Sequence, residues 1–111
     1  MIDCNLTDNT ASNNGGSVSW GGSYGTITSS TFTNNTAGNN AGAVDCWGAH
    51  LTITGSTFTN NTGKNSGGAI YVVANNVAVT NCEFIGNVAT TSGGAILGGG
   101  YLSYYNWFYI H

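Results

Sequence analysis

The stretch "TFTNNT", residues 31–36, is written again without change at residues 57–62, an offset of 26 positions. A polar hexapeptide has no reason to recur by composition alone. Aligning the whole chain at that period supplies one, because the other recognisable residues also fall into columns. Leu6, Phe32, Phe58 and Phe84 share one column, and Asn9, Asn35, Asn61 and Asn87 share another three positions on. The pairs Gly15-Gly16, Ala41-Gly42, Gly67-Gly68 and Gly93-Gly94 recur at one phase. Each is followed by Ser17, Ala43, Ala69 or Ala95 and then by Val18, Val44, Ile70 or Ile96. Ile27, Ile53 and Val79 stand upstream of the Phe column, with Leu51 and Val77 two positions earlier.

Inside each unit the apolar residues alternate, as in Leu51-x-Ile53 and Ile70-x-Val72, which is the period of a strand. Gly and Asn punctuate these short strands, and both accept the left-handed backbone of tight corners. No apolar stripe appears at helical spacing. A unit of about three strands and three corners, repeated in register, reads as one coil of an all-β parallel β-solenoid. The 111 residues form a single domain with coils at 1–26, 27–52, 53–78 and 79–104 and a partial fifth at 105–111.

Coils stack at about 4.8 Å, so columns become ladders of like on like. Phe32, Phe58 and Phe84 are expected to form an interior aromatic stack. Asn35, Asn61 and Asn87 are expected at a corner where each amide bonds the next. Gly42, Gly68 and Gly94 are expected to let the backbone turn with no side chain in the way. Beyond Ala95 the unbroken period sets Tyr105 with Val79 and Ile110 with Phe84, making "YLSYYNWFYIH" the strand of a fifth coil. A skip of two would place Phe108 on the Phe column instead. The unbroken register is preferred because it gives Tyr105, Phe108 and Ile110 the buried phases.

The third and fourth units carry "FTNN" with "GGAI" and "FIGN" with "GGAI". This pairing of Phe-x-x-Asn with Gly-Gly-Ala-Ile resembles the polymorphic outer-membrane protein repeats of autotransporter passengers and adhesin-like surface proteins. The resemblance covers about the first 97 residues; the first unit departs with "LTDN" and "GGSV", the second with "AGAV", and the fifth has neither motif. It implies a right-handed parallel β-helix, export to the cell surface or the extracellular space, and adhesion or construction of an extracellular structure. A carbohydrate or a host surface is a candidate partner.

Composition narrows the chemistry. Lys64 is the only basic residue among Lys and Arg, and Asp3, Asp8, Asp45 and Glu83 are the only acids. One Lys cannot replace the counterions of a polyanion, so nucleic acid is excluded as a principal partner. No apolar run approaches the roughly 20 residues that cross a bilayer, and no basic-then-apolar leader follows Met1. Parallel β-helices also host polysaccharide lyases and hydrolases, whose chemistry needs converging carboxylates. Here the acids lie on different coils and faces, as scattered surface acids do, so no catalytic residue and no cofactor is assigned.

Cys4 and Cys82 share a column three coils apart, about 14 Å, too far to bridge. Cys46 belongs with Trp20 and Val72. All three cysteines fall on inward phases, as small buried hydrophobes, and no metal-ligand spacing is present. His50 at a corner and terminal His111 read as bystanders. Asn5, Asn34 and Asn60 head Asn-x-Thr sequons that could carry glycans, although Asn and Thr are also simply good corner residues.

The leading reading is a non-catalytic structural or adhesive solenoid. The first alternative binds a carbohydrate or ice, and a polysaccharide-active enzyme comes third. Trp47 and Tyr71 are candidates for stacking on sugar rings, but they are not column mates. Thr28, Thr54 and Thr80, with Thr26 and Thr52, form ranks of the kind that some solenoids present to ice; Ala78 breaks the second rank. Solenoid ends normally carry a cap, and none is evident here. Two readings are therefore expected: the chain is part of a larger adhesin-like protein, or it self-associates end to end through the aromatic last strand with Tyr101, Tyr104, Tyr105, Trp107, Phe108, Tyr109 and Ile110.

Overall fold

The corners of each coil fall on residues that accept a left-handed backbone. In the computed structural model, positive φ recurs with the period of the sequence at Asp3, Ser29, Gly55 and Asn81, and again at Asp8, Asn34, Asn60 and Gly86. It returns at Gly15, Ala41, Gly67 and Gly93, and at His50 and Asn76. Asn, Asp and Gly are the residues for which this conformation is least costly. The structure describes residues 1–73, 75–91, 93–98 and 101–110, with the backbone alone at 75 and at 101–110.

Between corners the chain is extended. The first turn holds β1 (Asn5–Thr7), β2 (Thr10–Ala11) and β3 (Val18–Trp20). The second holds β4 (Gly25–Thr28), β5 (Thr31–Thr33), β6 (Thr36–Ala37) and β7 (Val44–Cys46). The third repeats it as β8 (Leu51–Thr54), β9 (Thr57–Thr59), β10 (Thr62–Gly63) and β11 (Ile70–Val72). In the fourth, β12 (Asn75–Ile85) runs through one corner without interruption, followed by β13 (Val88–Ala89) and β14 (Ile96–Gly98). The last strand is β15 (Tyr101–Ile110).

Like strands pair with like, always parallel, and three sheets result. One contains β1, β5, β9, β12, β8 and β4, with β15 added on β12; the second runs β13-β10-β6-β2 and the third β14-β11-β7-β3. The registers reproduce the columns, with Leu6 opposite Phe32, Phe32 opposite Phe58 and Phe58 opposite Phe84. The chain is thus an all-β parallel solenoid of about four coils, 26 residues apart. Along β15 the pairing slips and recovers, so that Tyr105 faces Val79 and Ile110 faces Phe84. That is the unbroken register at the level of the backbone. The burial expected of Tyr105, Phe108 and Ile110, and the interface expected of the aromatic strand, concern side chains outside the described residues, as does His111.

The interior is a set of ladders. Phe32, Phe58 and Phe84 are wholly buried, with ring centroids 4.7 and 4.9 Å apart and planes within 2° and 7° of parallel. The buried column Ile27, Ile53 and Val79 runs beside them. Asn35 and Asn61 are fully buried and Asn87 nearly so. Each Nδ2 donates to the next Oδ1, from Asn9 to Asn35, Asn35 to Asn61 and Asn61 to Asn87, at 3.0, 3.0 and 2.9 Å. Each Oδ1 also accepts the backbone N–H of the preceding Asn.

Within the glycine pairs the labour is divided more finely than sequence suggests. The first member takes the left-handed corner, at φ 67° for Gly67, and Ala41 holds it at 61°. The second allows close approach between coils: a Cβ on Gly68 would strike the Gly94 carbonyl oxygen and lie 2.6 Å from the Val88 nitrogen.

Candidate functional site

On the third sheet, Val44 and Cys46 of β7 point inward, while Asp45 between them occupies the outer face. Its register partners are Ser19 on β3 and Tyr71 on β11, so the outer column reads Ser19, Asp45, Tyr71. Asp45 is nevertheless only 5% exposed. This corrects the reading of the four acids as scattered surface groups.

Trp47 leaves the strand just after Cys46, and its backbone N–H donates to the Trp20 carbonyl at 3.0 Å. Its indole Nε1 donates to Ser19 Oγ at 3.2 Å, which lays the ring over the coil below. Gly21 makes this possible, because a Cβ there would collide with the indole ring. Trp47, Tyr71 and Val73, with Asn13, Asn14 and Ser19, thereby enclose a groove of about 420 Å³ with Asp45 among its lining residues. Trp47 and Tyr71 are not column mates, yet the fold brings them into one groove.

The groove's polar side is built from ladders that sequence reasoning missed. Asn65 Nδ2 donates to Asn39 Oδ1 at 3.1 Å and Asn39 Nδ2 to Asn13 Oδ1 at 3.3 Å. The next column uses its acceptors, with Asn40 N donating to Asn14 Oδ1 and Ser66 N to Asn40 Oδ1, both at 3.1 Å. These asparagines recur at the same period as the rest, so alignment at 26 could have found them.

Burial pushes the Asp45 carboxyl above its ordinary value of 3.8. A carboxyl whose folded pKa is raised binds its proton more tightly in the native state. Between the unfolded and folded values the native chain therefore carries more protons, and stability falls as pH rises through that window. The destabilising contribution is fully present above the folded pKa and absent below the unfolded one. Urea unfolding from about pH 4 to about pH 7 should show this decline relative to Asp45→Asn, in which it is removed. Identical pH profiles for the two proteins would contradict it.

All three thiols are free; Cys46 and Cys82 are buried and Cys4 is partly so. Burial pushes the Cys46 thiol up to about 11, with Asp45 adding to the effect, and also raises Cys82. Between Cys4 and Cys82 the column is occupied by Ser30 and Ser56, whose hydroxyls accept the N–H of Cys4 and Ser30. His50 is stacked on Tyr24, with centroids 4.5 Å apart. Asn5, Asn34 and Asn60 are exposed, the last two at left-handed corners. Thr80 Oγ1 donates to Thr54 Oγ1 at 3.1 Å, while Thr26 and Thr52 face solvent. Among the described residues no three His, Cys, Asp or Glu side chains gather to hold a metal ion, and no helix is long and apolar enough to cross a membrane.

Parallel coils in register, filled by Phe and aliphatic ladders and cornered by Asn and Gly, define a β-helix repeat protein. The family described as right handed beta helix region matches residues 2–106, and this chain belongs to it. Comparison with curated proteins and with solved structures finds no match.

Proposed function

We propose that this chain is a non-catalytic structural or adhesive β-helix of the cell surface or extracellular space, whose coils continue end to end from one copy to another. The observation that supports this most is the translational sameness of the stack. The second, third and fourth coils present the same Phe ring, with Leu6 in its place in the first, and all four present the same amide and parallel strand edges, so a further coil can be added without any new kind of contact. Within this chain the first-turn strands β1, β2 and β3 each pair with one neighbour, in the second turn. Leu6, Val18 and Trp20 are only partly covered there, and Ile2 is 66% exposed. A coil supplied from below would cover these residues and satisfy the open edge.

The motif resemblance to polymorphic outer-membrane protein repeats supports the exterior location, and with it an adhesive partner such as a carbohydrate or a host surface. Charge opposes stacking only weakly, since the net charge is −3 on 111 residues. Head-to-tail contacts of this kind do not close on themselves, so the expected product is a filament. Sedimentation over rising concentration, with negative-stain electron microscopy, should show species much heavier than 11.4 kDa and fibres about as wide as one coil. A stable 11.4 kDa monomer at high concentration would overturn the proposal.

A further inference from the structure

We propose that the groove beside β7 binds an alkylammonium cation, with the Asp45 carboxylate as counter-ion and the rings of Trp47 and Tyr71 on either side of it. Asp45 is 5% exposed, and among the described residues no hydrogen bond reaches its carboxyl, whose oxygens are not fully buried and open onto the groove. A carboxylate largely withdrawn from water with no partner is poorly stabilised, and a cation entering the groove supplies that partner. The chain's single Lys does not line the groove.

The surroundings select the kind of cation. Ser19 and Tyr71 are the register partners of Asp45, so each lies about one strand spacing, roughly 4.8 Å, from it. The Trp47 indole is anchored over Ser19 by its Nε1 hydrogen bond. An aromatic side chain thus flanks the carboxylate on each side, and aromatic faces attract ammonium ions. Val73, 46% exposed, adds an apolar wall for methyl or methylene groups. A hard metal ion is a poor fit, since it needs six or more oxygens, whereas the groove offers one carboxylate and its Asn13 and Asn14 amide oxygens already accept hydrogen bonds from Asn39 Nδ2 and Asn40 N. A neutral sugar is a poorer fit than a cation, because it would leave the buried charge uncompensated.

The test uses the full 111-residue chain, titrated with choline chloride and, separately, with N-acetyl-lysine amide, following the Trp47 indole N–H by NMR. Saturable binding of either cation is expected. Choline alone binding identifies a quaternary headgroup as the ligand type, and the lysine derivative alone a protein side chain. Asp45→Asn should weaken binding at least about tenfold, the loss expected for a charged partner. Trp47→Ala, followed through the Tyr71 backbone amide because the indole reporter is lost, should weaken it about fivefold, and, being at an exposed position, tests the site even if Asp45→Asn fails to fold. The neutral isostere 3,3-dimethylbutan-1-ol should bind at least about tenfold more weakly than choline. Equal binding of the isostere, saturation by methyl glucoside in place of the cations, or no saturable shift at all would overturn the proposal. The outcome is independent of end-to-end assembly, which sedimentation reads separately.

Discussion

Phe58→Ala is expected to lower the unfolding free energy by about 3–5 kcal/mol, the range found for truncating a buried aromatic ring. Phe58 is the middle ring of the stack, is wholly buried, and has a parallel neighbour on each face at 4.7 and 4.9 Å. Its loss opens a cavity between two rigid coils. The backbone cannot collapse into that cavity, because the coil spacing is fixed by strand pairing on all three sheets. The cost should therefore lie toward the upper end of the range. Chemical denaturation measures it directly. A loss below about 1 kcal/mol would mean that Phe58 does not carry the interior.

Asn61→Leu should be comparably damaging, although it adds apolar volume to a buried site. The Asn61 side chain accepts from the Asn35 N–H and the Asn35 amide, both at 3.0 Å, and donates to the Phe32 carbonyl at 3.0 Å and to Asn87 Oδ1 at 2.9 Å. Leucine leaves two backbone groups, the Asn35 N–H and the Phe32 carbonyl, without these bonds inside the protein. At about 1–3 kcal/mol for each unsatisfied group, the expected loss is about 2–6 kcal/mol. Equilibrium unfolding gives the total. Hydrogen exchange gives the location, since the Asn35 amide should lose its protection ahead of its neighbours. Unchanged exchange at Asn35 together with a loss under about 1 kcal/mol would contradict the ladder.

Most of the fold was legible because a parallel solenoid turns sequence period into spatial neighbourhood. Residues 26 apart become strand partners, so the Phe and Asn columns could be read before any coordinates existed. The groove was less legible for the same reason. Trp47 shares its column with Gly21 and Val73, and it reaches Ser19 only by leaning across two positions and one coil. A column shows which residues stack; it does not show a large side chain folding sideways over a smaller neighbour. The one hint was the small residue beneath Trp47, since Gly21 leaves the space its ring fills. Ala41 is a similar case. Aligned with three glycines it reads as a tolerated replacement, yet it sits buried at φ 61°, where a Cβ costs about 1–2 kcal/mol.

The asparagine ladder also has a direction. In the buried column from Asn9 to Asn87 every side-chain rung donates from the earlier coil to the later one, so that column is a row of aligned amide dipoles with an acceptor at one pole and a donor at the other, while the exposed ladder of Asn65, Asn39 and Asn13 runs the other way. Two such columns can be joined head to tail. Turned head to head, they would set acceptor against acceptor. Copies joined end to end through this column would therefore all point one way, with two chemically different tips. A molecule tethered at one tip would present the other outward in every copy.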